Sequence, residues 1–242
     1  MRTFYFALFF TVIHAQYNYS NWGSITSLLT PVGIKITEEN IVYMPTSGGL
    51  LQLNLETEKF NSIKMKEGLR YLDLSSISID GKDRVWLGSN SPKGCLQVYD
   101  PAFGLVNYFE DILLSSIGKI VIGDNISFAI YKGNVSGDIG ILKFTFDEEG
   151  LPIYQDYYND FTDETIAKIY DLDIFQDSVY VTTDQGVFSA NYSNNLKSSE
   201  SWVSIYENTD AKQFLSGTNP IILKNNEIIH FQNNIWKNYC IN

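Results

Sequence analysis

Only two cysteines, Cys95 and Cys240, and two histidines occur in the 242 residues, and one of those histidines, His14, sits inside the N-terminal apolar segment. There is no CxxC pair and no Cys/His cluster, so a zinc site or a histidine-based triad has almost nothing to build on. A scaffold held by disulfides would carry many more cysteines. The 145-residue gap between these two fits separate thiols better than a bridge, although an oxidising compartment would permit one. Positive charge is scarce too. Seventeen Lys and Arg stand against 28 Asp and Glu, for a net charge of −11. The cations are scattered or in mixed company, as in Lys64-Met65-Lys66-Glu67. Neutralising a nucleic-acid backbone or an anionic membrane surface takes clustered cations, so neither is an expected partner. Prolines number six and no long polar tract interrupts the chain, which excludes a disordered protein.

The one long apolar run is at the N-terminus. Met1-Arg2 starts a short positive region, Phe4 to Ile13 is apolar apart from Thr11, and Ala15 precedes Gln16 at a cleavage point. This has the form of a secretory signal peptide at residues 1–15, too short for a membrane span. The competing reading is a buried first strand. Export places the mature chain in the periplasm or at the cell surface, with no membrane span after signal cleavage.

What the chain does contain is a repeat of about 45 residues, seen five times. The second copy is the sharpest: Ile77 to Asp80, Arg84 to Gly88, Cys95 to Asp100, then Val106 to Phe109. The first holds Val32 to Ile36, Ile41 to Met44, Gly49 to Leu53 and Lys59 to Ile63. The third holds Lys119 to Ile122, Ile126 to Tyr131, Ile139 to Phe146 and Ile153 to Gln155. The fourth has Tyr170 to Phe175, Ser178 to Thr183, Gly186 to Ala190 and Trp202 to Ile205; the compressed fifth has Gln213 to Leu215, Ile221 to Leu223, Glu227 to Phe231 and Ile235 to Tyr239. Short segments rich in Ile, Val, Tyr and Phe, parted by Asn, Asp and Gly, are hairpin-linked antiparallel strands. Four strands per repeat at this period predict an all-β chain: a β-propeller of about five four-stranded antiparallel blades, approximately 26–66, 70–112, 115–158, 166–206 and 211–241. A β-sandwich also has many short strands, but it has no reason to repeat a glycine turn at a fixed phase. Asp160 to Ala167 leaves room for one short helical turn.

Asn21 to Ile25 matches Ser201 to Ile205, an outer strand of the fourth copy, although the fifth copy already carries its own outer strand at Ile235 to Tyr239. It stays open whether five blades close a ring or form the N-terminal part of a larger one.

The second copy, Ile79-Asp80-Gly81-Lys82-Asp83-Arg84-Val85-Trp86-Leu87-Gly88-Ser89 followed by Gly94 to Asp100, resembles the repeat of the two-component regulator propellers. Ile41 to Tyr43 with Ser47 to Leu50, and Val179 to Thr183 with Gln185 to Phe188, are weaker versions. A leader followed at once by a Trp-bearing strand also looks like the N-terminal propellers of surface components of type IX secretion. The resemblance implies an extracytoplasmic recognition or scaffolding propeller. No kinase, second propeller or sorting domain is read in these 242 residues, so a part in type IX secretion or surface sensing stays open.

No catalytic, cofactor-binding or metal-ligating residues are singled out, and no cofactor is expected. The acidic stretch Asp156, Asp160, Asp163, Glu164, Asp171, Asp173 and Asp177 lacks the alternate-position spacing of a calcium loop and reads as loop solvation. Gly48-Gly49 fits a turn before a strand. Tyr43, Trp86, Phe128 and Tyr180, at equivalent positions of four copies, read as inter-blade packing rather than sugar platforms. The expected function is therefore a binding or scaffold module for an unidentified protein or glycan of the cell envelope. The alternative is a propeller hydrolase or lyase acting on a polysaccharide or small ester. A carboxylate ring at the start of successive inner strands would favour that alternative, but those strands open with Val32, Ile77, Ile117, Ile169 and Gln213.

Overall fold

The computed structural model describes residues 27–207, 210–224, 227–232 and 235–240. The expected signal peptide at 1–15 and the expected strand around Trp22 fall outside these residues, and for Glu207 and Cys240 only the backbone is described.

Among the described residues, five four-stranded antiparallel sheets each follow sequence order. The first comprises β1 (Lys35–Ile36), β2 (Ile41–Thr46), β3 (Gly49–Asn54) and β4 (Lys59–Ile63). The second comprises β5 (Asp73–Ile79), β6 (Val85–Ser91), β7 (Cys95–Asp100) and β8 (Gly104–Glu110). The third holds β9 (Leu114–Ile122), β10 (Ser127–Gly133), β11 (Ile139–Phe146) and β12 (Pro152–Tyr158). The fourth holds β13 (Ile169–Phe175), β14 (Ser178–Thr183), β15 (Gly186–Asn191) and β16 (Val203–Glu207). The fifth holds β17 (Ala211–Leu215), β18 (Ile221–Lys224), β19 (Glu227–Gln232) and β20 (Ile235–Cys240). The sheets are the blades of a β-propeller. The inner strand of each lies against that of the next, β5 on β9, β9 on β13 and β13 on β17.

The cores therefore sit between blades. Tyr43 and Leu50 of the first meet Leu74, Val85 and Leu87 of the second. Trp86, Leu96 and Val98 meet Ile117, Leu142 and Phe144 of the third. Phe128 and Ile141 meet Leu172, Val181 and Phe188 of the fourth, and Val187 meets Phe214, Ile222 and Ile229 of the fifth. A middle strand is covered on both faces, which explains why β6 buries five successive residues from Val85 to Ser89 instead of alternating. The outer strand β4 is exposed until its last residue, Ile63. The outward flanks of the first and fifth blades carry exposed apolar side chains: Val32, Ile34 and Ile36 on one, Leu215, Leu223 and Ile235 on the other.

Turn chemistry recurs at a fixed phase. Asn54, Asp100, Asp147 and Asn191 close the third strands of four blades, and each side chain accepts the backbone N–H two residues on. Between second and third strands, the Thr46 and Thr183 hydroxyls donate to the carbonyls of Gly49 and Gly186. Both glycines have left-handed backbone, with φ 127° and 144°, which side chains resist.

Three local expectations are corrected. The first inner strand is only Lys35–Ile36 rather than Val32 to Ile36; continuing its register would set Gly33 opposite Pro45, which has no N–H to donate, and beyond the strand Val32 N–H donates to the Pro45 carbonyl at 3.0 Å. The third begins at Leu114, not Lys119: register shifts against β10 place Leu114, Ile117 and Ile120 on the buried side at intervals of three, which hides the strand from a search for alternation. Asp160 to Ala167 is a run of bends, not a helical turn. Its Ala167 amide is taken by the Asp184 carboxylate, and Phe161 is pinned edge-on to Trp202 at 4.6 Å between centroids.

Candidate functional site

The inner strands of all five blades line one central cavity of about 1130 Å³. Lys35, Ser78, Lys119, Asp173 and Ser216 each come from a different inner strand or its end. The cavity opens on the face that carries the turns joining first to second strands, where Asp124 and Gln176 sit. Its walls are polar and of mixed sign.

Those charges are mostly held. Lys119 Nζ lies 2.7 Å from Asp171 Oδ1, linking the third and fourth blades. The other oxygen of Asp171 accepts the Phe214 amide of the fifth at 3.0 Å. Two residues on, Asp173 Oδ2 accepts the Ser216 amide at 3.1 Å. Lys143 donates to the Tyr192 carbonyl at 2.8 Å, and burial lowers its pKa. The Asp177 carboxylate accepts the Tyr192 hydroxyl at 3.2 Å. Carboxylates on β13 thus act as acceptors for amides of the next blade, an arrangement that fastens blades together.

This corrects part of the loop reading of the acidic stretch. Asp171 and Asp173 are on inner strand β13, with Asp171 buried, and Asp156 is on β12, where it pairs with Lys197 at 2.9 Å. Asp160, Asp163 and Glu164, together with Asp177 in the turn after β13, are exposed carboxylates outside the strands as expected. The signal for the others was the alternation Asp171-Leu172-Asp173, a polar face and a buried leucine at strand spacing. Among the described residues no group of three or more His, Cys, Asp or Glu is arranged to hold a metal. Cys95 is a buried free thiol whose pKa burial pushes up to about 12.

The sharp second repeat also proves to be a fastening. Asp80 Oδ1 accepts the Lys82 and Arg84 amides, while Oδ2 accepts Arg84 Nε and the Trp86 indole. Arg84 then reaches the carbonyls of Glu149 and Gly150 in the third blade. Tyr43, Trp86 and Phe128 are buried between blades, and half-buried Tyr180 stacks on Phe214 at 4.4 Å. None of the four forms an exposed platform.

A second cavity lies between the second and third blades on the opposite face, and its lining is aromatic and acidic: Phe109, Asp111, Tyr131, Asp138, Tyr154 and Tyr157. Sequence inspection did not find it, because its walls come from five strands, β8 to β12, and three connecting segments.

No protein-family profile matches the chain, and no curated protein matches it in sequence. Solved structures do match in fold. PorZ, described as an essential bacterial surface component of the type-IX secretion system of Porphyromonas gingivalis, superposes with a TM-score of 0.61 at 15% identity, over 84% of this chain and 33% of that one. The extracellular domain of the hybrid two component system BT3049 from B. thetaiotaomicron gives 0.56 at 15% identity, over 88% and 28%. A chain of the mitotic checkpoint complex gives 0.59 at 11% identity, over 82% and 61%. The resemblance to two-component regulator propellers and to the type IX secretion component is thus present in the fold, and this chain spans a third or less of the first two structures. Among the described residues no helix is long and apolar enough to cross a membrane.

Proposed function

We propose that this chain is an exported binding or scaffold propeller of the cell envelope, placed in the periplasm or at the cell surface by the leader at residues 1–15. The observation that carries this reading is the use of the channel carboxylates. Asp171 and Asp173 accept backbone amides of the neighbouring blade and one of them pairs with Lys119. A hydrolase needs a carboxyl group poised against substrate, with a pKa suited to proton transfer. These carboxylates instead hold blades in place, and the result is a rigid disc with loops on two faces. Extracellular and surface proteins with the same fold support the location and the class.

The test combines two readouts on the tagged full chain in envelope fractions. A photo-cross-linking residue at exposed Gln176 reports what lies at the channel mouth, and a panel of esters and polysaccharides reports turnover. Export together with a cross-link to one envelope protein or glycan, and no turnover, supports the reading. Turnover abolished by Asp173→Asn, or retention of the chain in the cytoplasm, overturns it.

A further inference from the structure

We infer that the cavity between the second and third blades captures an arginine or lysine side chain of a partner protein, presented within an extended apolar segment. This rests on the reading of the chain as a binding module and names the chemistry that module recognises.

The cavity has a volume of about 200 Å³, the scale of one large side chain rather than of an extended ligand. No Lys or Arg lines it, while Asp111 and Asp138 both do. Its remaining walls include Tyr131, Tyr154, Tyr157 and Phe109. Phe109 and Tyr154 are stacked at 4.4 Å, and Tyr131 and Tyr157 meet edge to face at 6.1 Å. Lys197 Nζ lies 4.6 Å from the Tyr157 ring centroid, but it is paired with Asp156, and neither residue lines the cavity. The aromatic rings beside Asp111 and Asp138 attract a cation through the ring quadrupole and charge-assisted hydrogen bonds. The whole chain adds a negative field, at −11. Anions are repelled by the same groups.

The site is held in shape. Asp138 Oδ1 accepts the Tyr131 hydroxyl at 3.0 Å, leaving its second oxygen without that bond. Burial raises the Tyr131 pKa first, and Asp138 raises it further, so the ring stays a neutral donor. Gly133 and Gly140 leave the necessary room: a Cβ at the first would collide with the Asp138 carboxylate and at the second with the Tyr131 ring. Asp111 Oδ1 accepts the Leu113 amide at 2.8 Å, which fixes the loop that forms the other wall.

The rim says what surrounds the cation. Ile112, Leu113 and Val135 are 80%, 65% and 70% exposed. They belong to two loops tied together by the Asn134 amide to the Leu113 carbonyl at 2.8 Å, the Asn134 side chain to the Ile112 carbonyl, and Ser115 Oγ to the Gly133 carbonyl at 2.9 Å. Exposed apolar tips on mutually bonded loops form a firm ridge beside the acidic cavity. An Arg or Lys flanked by apolar residues matches both parts.

The probe is the tripeptide acetyl-Leu-Arg-Leu-amide, compared by calorimetry with its citrulline isostere, its Glu counterpart and neutral maltotriose on the full chain. The Arg peptide is expected to bind at least about tenfold more tightly than the citrulline peptide. Raising sodium chloride from about 0.05 M to about 0.5 M should weaken it. Asp138→Asn and Asp111→Asn keep the oxygens that accept from Tyr131 and Leu113, so both should fold with unchanged melting temperature and lose the Arg preference. Equal binding of the Arg and citrulline peptides overturns the proposal, as does preference for maltotriose, no binding of the Arg peptide, or Arg preference that survives both substitutions. A failure here with an envelope cross-link at Gln176 still obtained would leave the binding-module reading standing; loss of both would remove that as well.

Discussion

The Trp86 indole and the Arg84 guanidinium share one oxygen of Asp80, at 2.9 Å and 2.8 Å. Arg84 and Asp80 are each 8% exposed at the side chain. Removing the carboxylate would leave a buried cation and a buried indole N–H without their partner.

Asp80→Ala is therefore expected to destabilise the chain by about 3 kcal/mol or more, read from denaturant unfolding. Asp80→Asn keeps an acceptor and should cost clearly less. Equal losses for the two would show that a neutral acceptor at position 80 contributes nothing and that the whole effect rests on the carboxylate charge.

Glu110 gives the fold an acid dependence. The Arg70 guanidinium, bonded through two nitrogens, and the Tyr71 hydroxyl hold its carboxyl at about 2, below its ordinary 4.5. A carboxyl depressed by folding stabilises the native state fully above its unfolded pKa, and the contribution is lost as pH falls through the folded value. Stability should decline between about pH 4.5 and about pH 2, and Glu110→Gln should flatten that part of the profile. An unchanged slope would show that the pair does not survive in solution.

Asp171 joins three blades, so its loss should be felt across the joint rather than within its own sheet. Asp171→Ala is expected to speed hydrogen exchange of the Phe214 amide, and of the fifth blade generally, more than that of the second blade. Uniform acceleration would mean that all blades unfold as one unit. No acceleration at Phe214 would mean the 3.0 Å bond is not formed.

Gly88 faces the third blade so closely that a Cβ would sit 2.5 Å from the Ile117 carbonyl oxygen and collide with Ser76 Oγ. Gly88→Ala should cost about 1 to 3 kcal/mol as the blades are pushed apart. Gly81→Ala meets nothing within 4 Å and is the control, expected to leave the melting temperature nearly unchanged. Similar melting for the two variants would refute the close approach.

The repeat was legible because each blade uses the same local chemistry. The Asx turns at Asn54, Asp100, Asp147 and Asn191, and the Thr-x-x-Gly hairpins at Thr46 and Thr183, act over two to four residues, within reach of sequence inspection. The inward packing of Tyr43, Trp86 and Phe128 was also readable, since large aromatics in the middle of strands seek cover. Where a bulge broke the alternation, as in β9, the strand was seen too short.

Both sites escaped that reading for one physical reason. Asp171 was visible as an acidic residue, but its partners Lys119 and Phe214 lie in other blades, 52 and 43 residues away in the chain, by difference of residue numbers. The acidic aromatic cavity likewise draws Phe109 from β8, Tyr131 from β10 and Tyr157 from β12. Composition and local periodicity determined the all-β class, the four-stranded repeat and the acidic surface, because turns and hairpins are made from neighbours in sequence. Which carboxylates fasten blades, and which stand open beside aromatic rings, was decided only by the tertiary structure, because that depends on what the adjoining blade places opposite them.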